Sequence, residues 1–175
     1  MKILVLNGSA RKGGNTETMT NTFAENARAN GHEVSIITVK DVNPCKVCMY
    51  CAGEGHKGQC IQQDGMNEIY KEMETADMIV FASPIYWFSV SAQLKCAIDR
   101  FYATNKVGFH IKSAALLLNS HSQNVFNGAV SMYKDLLRYL KWEDKGIVTI
   151  DGMSSLDSMK NDPRLQQVVD LANSL

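Results

Sequence analysis

Several absences narrow this 175-residue chain before any motif does. It has no net charge, because eighteen Lys and Arg offset eighteen Asp and Glu. That balance argues against nucleic acid as the main partner, since phosphate binding needs a cationic excess. It also argues against a strongly acidic electron shuttle that docks by charge. No apolar run approaches the ~20 residues of a membrane span, and no signal-peptide pattern precedes the first strand. No membrane partner and a cytoplasmic location are therefore expected. Repeats, linkers and low-complexity segments are missing too. Residues 1–175 should thus form a single domain whose core buries roughly 70% of its unfolded surface. With no secretion signal, the five cysteines point to reactive or metal-binding thiols rather than structural disulfides.

What is present alternates. Continuous apolar runs at 2–6, 34–39, 78–82, 114–118 and 147–150 read as strands. Between them lie helical patterns near 16–29, 64–76, 89–102 and 125–140, and a last one follows Asp162 and Pro163. Met19, Phe23 and Ala27 share one face of the first helix, and Tyr133, Leu136, Leu137 and Leu140 share one face of the fourth. Uninterrupted apolar strands imply a sheet covered on both faces, and helical crossovers imply parallel pairing. The α/β order predicts a doubly wound five-stranded sheet, 2-1-3-4-5, with a ligand beside the loops after strands 1, 3 and 4.

The first of those loops, Gly8-Ser9-Ala10-Arg11-Lys12-Gly13-Gly14-Asn15-Thr16, joins a strand to a helix N-terminus. Free backbone N–H groups and the helix dipole favour an anion there. Ser9 and Thr16 offer hydroxyls, Asn15 an amide, and Arg11 or Lys12 a charge. Neither GxGxxG nor a Walker GxxxxGK is present, which removes a Rossmann dinucleotide site and a P-loop. The loop after strand 3, Ser83-Pro84-Ile85-Tyr86-Trp87-Phe88, places three aromatic rings where a loop tip is expected. Such rings suit a planar ligand or a subunit contact. A ligand with a phosphate at one end and a flat ring at the other fits both loops, and FMN has that form.

Cys45, Cys48, Cys51 and Cys60 form C-x2-C-x2-C-x8-C. Four thiolates at this spacing suit a [4Fe-4S] cluster. Zinc is a second reading, with His56 able to replace one thiol. Free redox-active thiols or a labile disulfide are the third. Cys96 has no neighbouring cysteine and reads as a small residue at a helix or subunit contact. His121, alone in the ligand-side loop after the fourth strand, has two readings, a group that approaches the ligand and an ordinary polar loop residue.

GSARKGGNT, SPIYWFSVSAQLKCAIDR and the cysteine run between them resemble the flavodoxin-fold NAD(P)H-dependent FMN reductases, especially the iron–sulfur flavoprotein branch. The resemblance implies a flavodoxin-like sheet. It implies that Ser9, Arg11, Asn15 and Thr16 hold the FMN phosphate while Lys12, Gly13 and Gly14 shape the turn. Pro84, Ile85, Tyr86 and Trp87 would border the isoalloxazine, and Asn119 and Ser120 would complete the site. Ala10 stands where relatives often have Pro. The implied activity is oxidoreduction: a hydride passes from NAD(P)H to flavin and on to a quinone, flavin, nitro or azo acceptor. No catalytic side chain is named, because the flavin carries the chemistry. An electron-transfer flavoprotein using FMN and a cluster is the alternative, and a cysteine-based redox sensor is a third. A homodimer or homotetramer is expected.

Overall fold

The computed structural model describes residues 1–175. Its strands are β1 (Lys2–Asn7), β2 (Glu33–Thr38), β3 (Met78–Tyr86), a two-residue β4 (Ser89–Val90), β5 (Ser113–Asn119) and β6 (Glu143–Ile150). The helices are α1 (Asn15–Ala29), α2 (Met66–Met73), α3 (Ala92–Asn105), α4 (Asn127–Leu140) and α5 (Gln166–Asn173). Five strands pair in parallel in the order β2-β1-β3-β5-β6, as the sequence predicts, and β4 pairs antiparallel with the far end of β3. No helix is long and apolar enough to cross a membrane.

The two-residue period of a strand divides the core. Leu4 and Leu6 of β1 join Phe81, Leu94, Phe101 and Tyr133 on the face covered by α2, α3 and α4. Ile3 and Val5 join Met19, Phe23, Val80 and Val168 under α1 and α5. Both faces are dry, so neither set of alternate residues can be polar, and the strands read as unbroken apolar runs.

Three boundaries differ from the sequence reading. Strand β3 does not stop after Ala82 but continues through Ser83 and Pro84 to Tyr86. At Pro84 β1 has already ended at Asn7 and only β5 flanks β3, with Asn119 opposite. Proline is tolerated where one edge is open. The chain then reverses at Trp87-Phe88, and Tyr86 pairs with Ser89. Helix α3 accordingly begins at Ala92 rather than 89, capped by Ser91, whose hydroxyl accepts from Leu94 N at 3.3 Å. Finally, β6 starts at Glu143 rather than Ile147, because this edge strand carries polar residues and bulges opposite Ala114 and Ala115.

The Trp87-Phe88 reversal is a two-residue hairpin with φ of +46° and +65° at its central positions. Such turns normally use Asn-Gly, because side chains resist the left-handed region. Helix α4 presses on the hairpin from outside: a Cβ on Gly128 would lie 2.6 Å from the Phe88 carbonyl oxygen. Gly128→Ala should therefore destabilise the fold by roughly 1–3 kcal/mol through overpacking. Urea unfolding measures this, and an unchanged midpoint would mean that α4 does not brace the hairpin.

Candidate functional site

The carboxyl end of β1 is held by glycine. Gly8 N donates to the Ala82 carbonyl at 2.7 Å, and Ser91 Oγ donates to the Gly8 carbonyl at 2.6 Å. A Cβ on Gly8 would stand 2.8 Å from Leu94 Cβ, so only glycine lets α3 approach the turn this closely. Ser83 Oγ accepts from Ser91 N at 2.9 Å, which ties β3 to the same cap.

Beyond Gly8 the turn organises itself. Ser9 N donates to Asn7 Oδ1 at 3.0 Å, and Arg11 N to Ser9 Oγ at 3.2 Å. Gly13, at φ +65°, donates its N–H to Glu17 Oε2 at 2.8 Å. Helix α1 then starts with no side-chain cap. The N–H groups of Gly14, Asn15 and Thr16 have no acceptor in the chain, so the positive end of the helix is open to an anion.

A cavity of about 310 Å³ opens there. Ser9, Arg11, Asn15 and Thr16 form one end, and Pro84, Ile85 and Tyr86 one wall. Asn119, Ser120 and His121 form another, and Met153 and Ser154 close it. No carboxylate lines it. Thr16 Oγ1 accepts from Asn119 Nδ2 at 2.7 Å, which leaves the hydroxyl proton to donate elsewhere. The Asn15 carboxamide is engaged at both ends, donating to Ser155 O at 2.8 Å and accepting from Met159 N at 2.9 Å. Its side chain therefore fastens the segment after β6 over the site, while its backbone N–H stays free. Ser120 Oγ donates to Ser122 O at 2.6 Å.

Not every residue singled out in the sequence reaches this cavity. Lys12 lies with Arg11 along a neighbouring groove nearer β2, and Gly14 contributes backbone alone. Trp87 is 93% exposed, because the left-handed hairpin turns its ring to solvent. Met153, Ser154 and the buried pair Ser83 and Ser91 are additions that the sequence did not mark. The 151–162 loop offered only polar composition, and its link to Asn15 spans more than 130 residues.

The four cysteines meet elsewhere. Cys45, Cys48, Cys51 and Cys60 all line one chamber of about 450 Å³, with Val47, Met49, Ile61 and Tyr102 among its walls. Val47 and Met49 are left-handed, at φ +52° and +58°. These turns put the three closely spaced thiols on the same chamber. Burial pushes the Cys51 thiol up, and the nearby Cys60 adds to the effect. No three Cys, His, Asp or Glu side chains converge at the geometry of a single metal ion. His56 is outside the chamber, stacked on Tyr50 at 4.1 Å. A set of four thiols is chemically suited to soft-metal or iron–sulfur ligation. Cys96 is half-buried and apart from them.

Beside the chamber lies a buried ion pair. Arg100 Nη1 donates to both Asp64 oxygens at 2.6 and 2.7 Å. Asp64 also accepts from Asn43 N, Asn43 Nδ2 and Met66 N, at 2.9 to 3.0 Å. The Met66 bond ties Asp64 to the first residue of α2, and Arg100 carried no role in the sequence reading.

A family described as NADPH-dependent FMN reductase matches residues 1–146. An iron-sulfur flavoprotein of Methanosarcina thermophila is 36% identical over 115 residues, covering 65% of this chain and 59% of that one. The chain thus spans less than two thirds of that relative's length. Among solved structures, an azoreductase from Bacillus anthracis str. Sterne superposes with a TM-score of 0.74 at 17% identity, covering all of both chains. An NAD(P)H:quinone oxidoreductase from Methanothermobacter marburgensis gives 0.71 at 16% identity, covering 99% of this chain and 96% of that one. At such identities the superpositions speak to fold alone.

Asp64 supplies a pH prediction. Burial works against its charge, but the bonds from Arg100, Asn43 and Met66 prevail and hold its carboxyl at about 2, below the ordinary 3.8. Its stabilisation is therefore complete above about pH 4 and is lost as pH falls through about 2. Asp64→Asn should cost roughly 2 kcal/mol at pH 7, and the gap to the wild type should close near pH 2. Urea unfolding at pH 7, 4 and 2.5 reads it, and a pH-independent gap would refute the assignment.

Proposed function

The chain belongs to the NADPH-dependent FMN reductase family, and from that premise we propose that it binds FMN and passes electrons from NAD(P)H to a small acceptor. The observation that carries this reading is the carboxylate-free cavity at the ends of β1, β3 and β5. Unpaired helix amides lie at one end of it, and an Ile85-Tyr86 wall along its side.

The donor set fits the phosphate of a flavin mononucleotide. The N–H groups of Gly14, Asn15 and Thr16, the Ser9 and Thr16 hydroxyls and the Arg11 guanidinium would hold it. Lys12 would add charge from the adjoining groove. Pro84, Ile85 and Tyr86 would border the ring. The N–H groups of Trp87 and Phe88 have no acceptor in the chain and are available to its polar edge. Asn119 would brace Thr16, and Ser120 would shape the opposite wall. When bound, FMN supplies a two-electron carrier that takes a hydride from a nicotinamide and yields it to a quinone, flavin, nitro or azo acceptor. No side chain at the site is required to move a proton. The protein binds, orients and excludes water.

Residues 1–175 would act as one FMN-binding domain. Trp87 and Phe88, 93% and 61% exposed at the mouth of the site, suit a contact between copies of the chain in a homodimer or homotetramer.

A second reading adds to the first. The four cysteines share one chamber, and curated relatives are named iron-sulfur flavoproteins. Cys45, Cys48, Cys51 and Cys60 would then hold a [4Fe-4S] cluster and make the protein a relay of single electrons. Membership of a reductase family weighs against a role as a non-enzymatic sensor.

Reconstitution tests both readings. Purified protein should quench added FMN and then oxidise NADH or NADPH steadily with a quinone present. Thr16→Ala should weaken FMN binding by about tenfold, the worth of one charge-assisted hydrogen bond. Absence of any flavin binding would end the first reading. Iron and sulfide analysis after anaerobic purification decides the second.

A further inference from the structure

Arg100 is only 2% exposed, and the flavin cavity makes no use of it. Its contacts reach both limbs of the cysteine loop. On the outgoing limb Nη1 donates to the Asn43 carbonyl at 3.4 Å. On the return limb it grips Asp64, while Nη2 donates to the Gln62 carbonyl and to Cys60 Sγ, each at 3.4 Å. Nε is buried with no partner at all. A buried cation with an unmet donor is costly, and apolar packing would serve a purely structural contact as well.

The asymmetry among the thiols gives this cation a role. Cys45, Cys48 and Cys51 come from one short stretch, and its own left-handed turns at Val47 and Met49 place them. Cys60 comes back from the other limb after eight intervening residues, three of them glycine. Backbone bonds order that segment, Gly58 N to the Cys51 carbonyl at 3.0 Å among them, but none of them reaches the Cys60 side chain. Among the four, only Cys60 receives a hydrogen bond from a charged side chain.

The geometry points to Arg100 as the positioning residue of the cysteine chamber. Its guanidinium holds Cys60 Sγ in the chamber that the other three thiols line and turns the positive Nη2 end of the Asp64 ion pair toward whatever anionic group they hold. The electrostatic half of this inference rests on the cluster reading above, whereas the positioning half does not. A buried cation next to an iron–sulfur cluster favours the more negative, reduced state and so raises its potential.

The test uses FMN-loaded protein before and after anaerobic reconstitution with iron and sulfide, as wild type, Arg100→Lys and Arg100→Met. Before reconstitution, diamide removes two electrons and two protons from any thiol pair close enough to form an S–S bond, and peptide mass spectrometry maps the pairs. Wild-type Cys60 should cross-link within the chamber. In Arg100→Met the cross-linked fraction should fall by about tenfold, with Arg100→Lys in between. After reconstitution, Arg100→Met should hold less iron, and its remaining cluster should have a lower midpoint potential. Arg100→Lys, which keeps the charge, should restore the potential more than the iron content.

Equal Cys60 cross-linking in all three proteins overturns the positioning role. An unchanged potential in Arg100→Met overturns the electrostatic one. If wild type takes up no iron, the cluster reading and the electrostatic role fall together, and the cross-linking alone decides the positioning role. Should Arg100→Met lose FMN and its unfolding transition, Arg100→Lys decides the positioning role, which full cross-linking there refutes and a reduced yield supports, and Arg100→Gln, which removes the charge, decides the electrostatic role by its midpoint potential.

Discussion

Helix α3 meets the end of β1 at a glycine, and the candidate sites on both sides of the molecule depend on that approach. The Ser91 hydroxyl donates to the Gly8 carbonyl, accepts from Leu94 N and thereby fixes where the helix begins. Its backbone N–H is held by Ser83 of β3. One buried cap thus joins the turn after β1, the strand beneath the aromatic hairpin and the first turn of α3. All its polar groups are satisfied, as burial demands. A methyl group on Gly8 would drive the helix away and loosen all three.

The same helix runs from the flavin-side cavity to the cysteine chamber. Ser91 lies at one end and Arg100 nine residues on, roughly 13–14 Å along the axis at the usual helical rise. A rigid helix between the two sites sets their spacing without any direct contact. The first is the cavity proposed to hold FMN. The second is lined by the four cysteines of the loop between β2 and α2. Asn15 makes a comparable link on the other face, tying the start of α1 to the segment after β6. The turn after β1 is therefore braced by elements from both halves of the chain.

Much of this was legible in the sequence. Ile3, Leu4, Val5 and Leu6 could only form a strand buried on both faces, and the alternation with amphipathic helices left a doubly wound sheet as the economical arrangement. Ser9, Arg11 and Thr16 stood out because a hydroxyl- and glycine-rich turn before a helix is an anion site for local reasons. The aromatic segment after β3 was marked correctly as unusual, but its shape was not. Nothing in Trp87-Phe88 announces a left-handed hairpin, since local preference opposes it and only packing against Gly128 and pairing with Ser89 impose it. The polar start of β6 was missed for the opposite reason, because an edge strand does not need an apolar pattern.

The sequence by itself determined the period of each strand and helix, the open helix terminus and the identity of the four thiols. These follow from short-range sterics and hydrogen bonding within a few residues. Tertiary structure alone decided which donors remain free, since whether Asn15 faces a ligand or a carbonyl depends on a loop more than 130 residues away. It also turned Trp87 outward, brought Met153 and Ser154 over the cavity, and set Arg100 against Cys60. Burial and partnering are properties of the packed chain, and no local pattern encodes which distant group will arrive beside a given side chain.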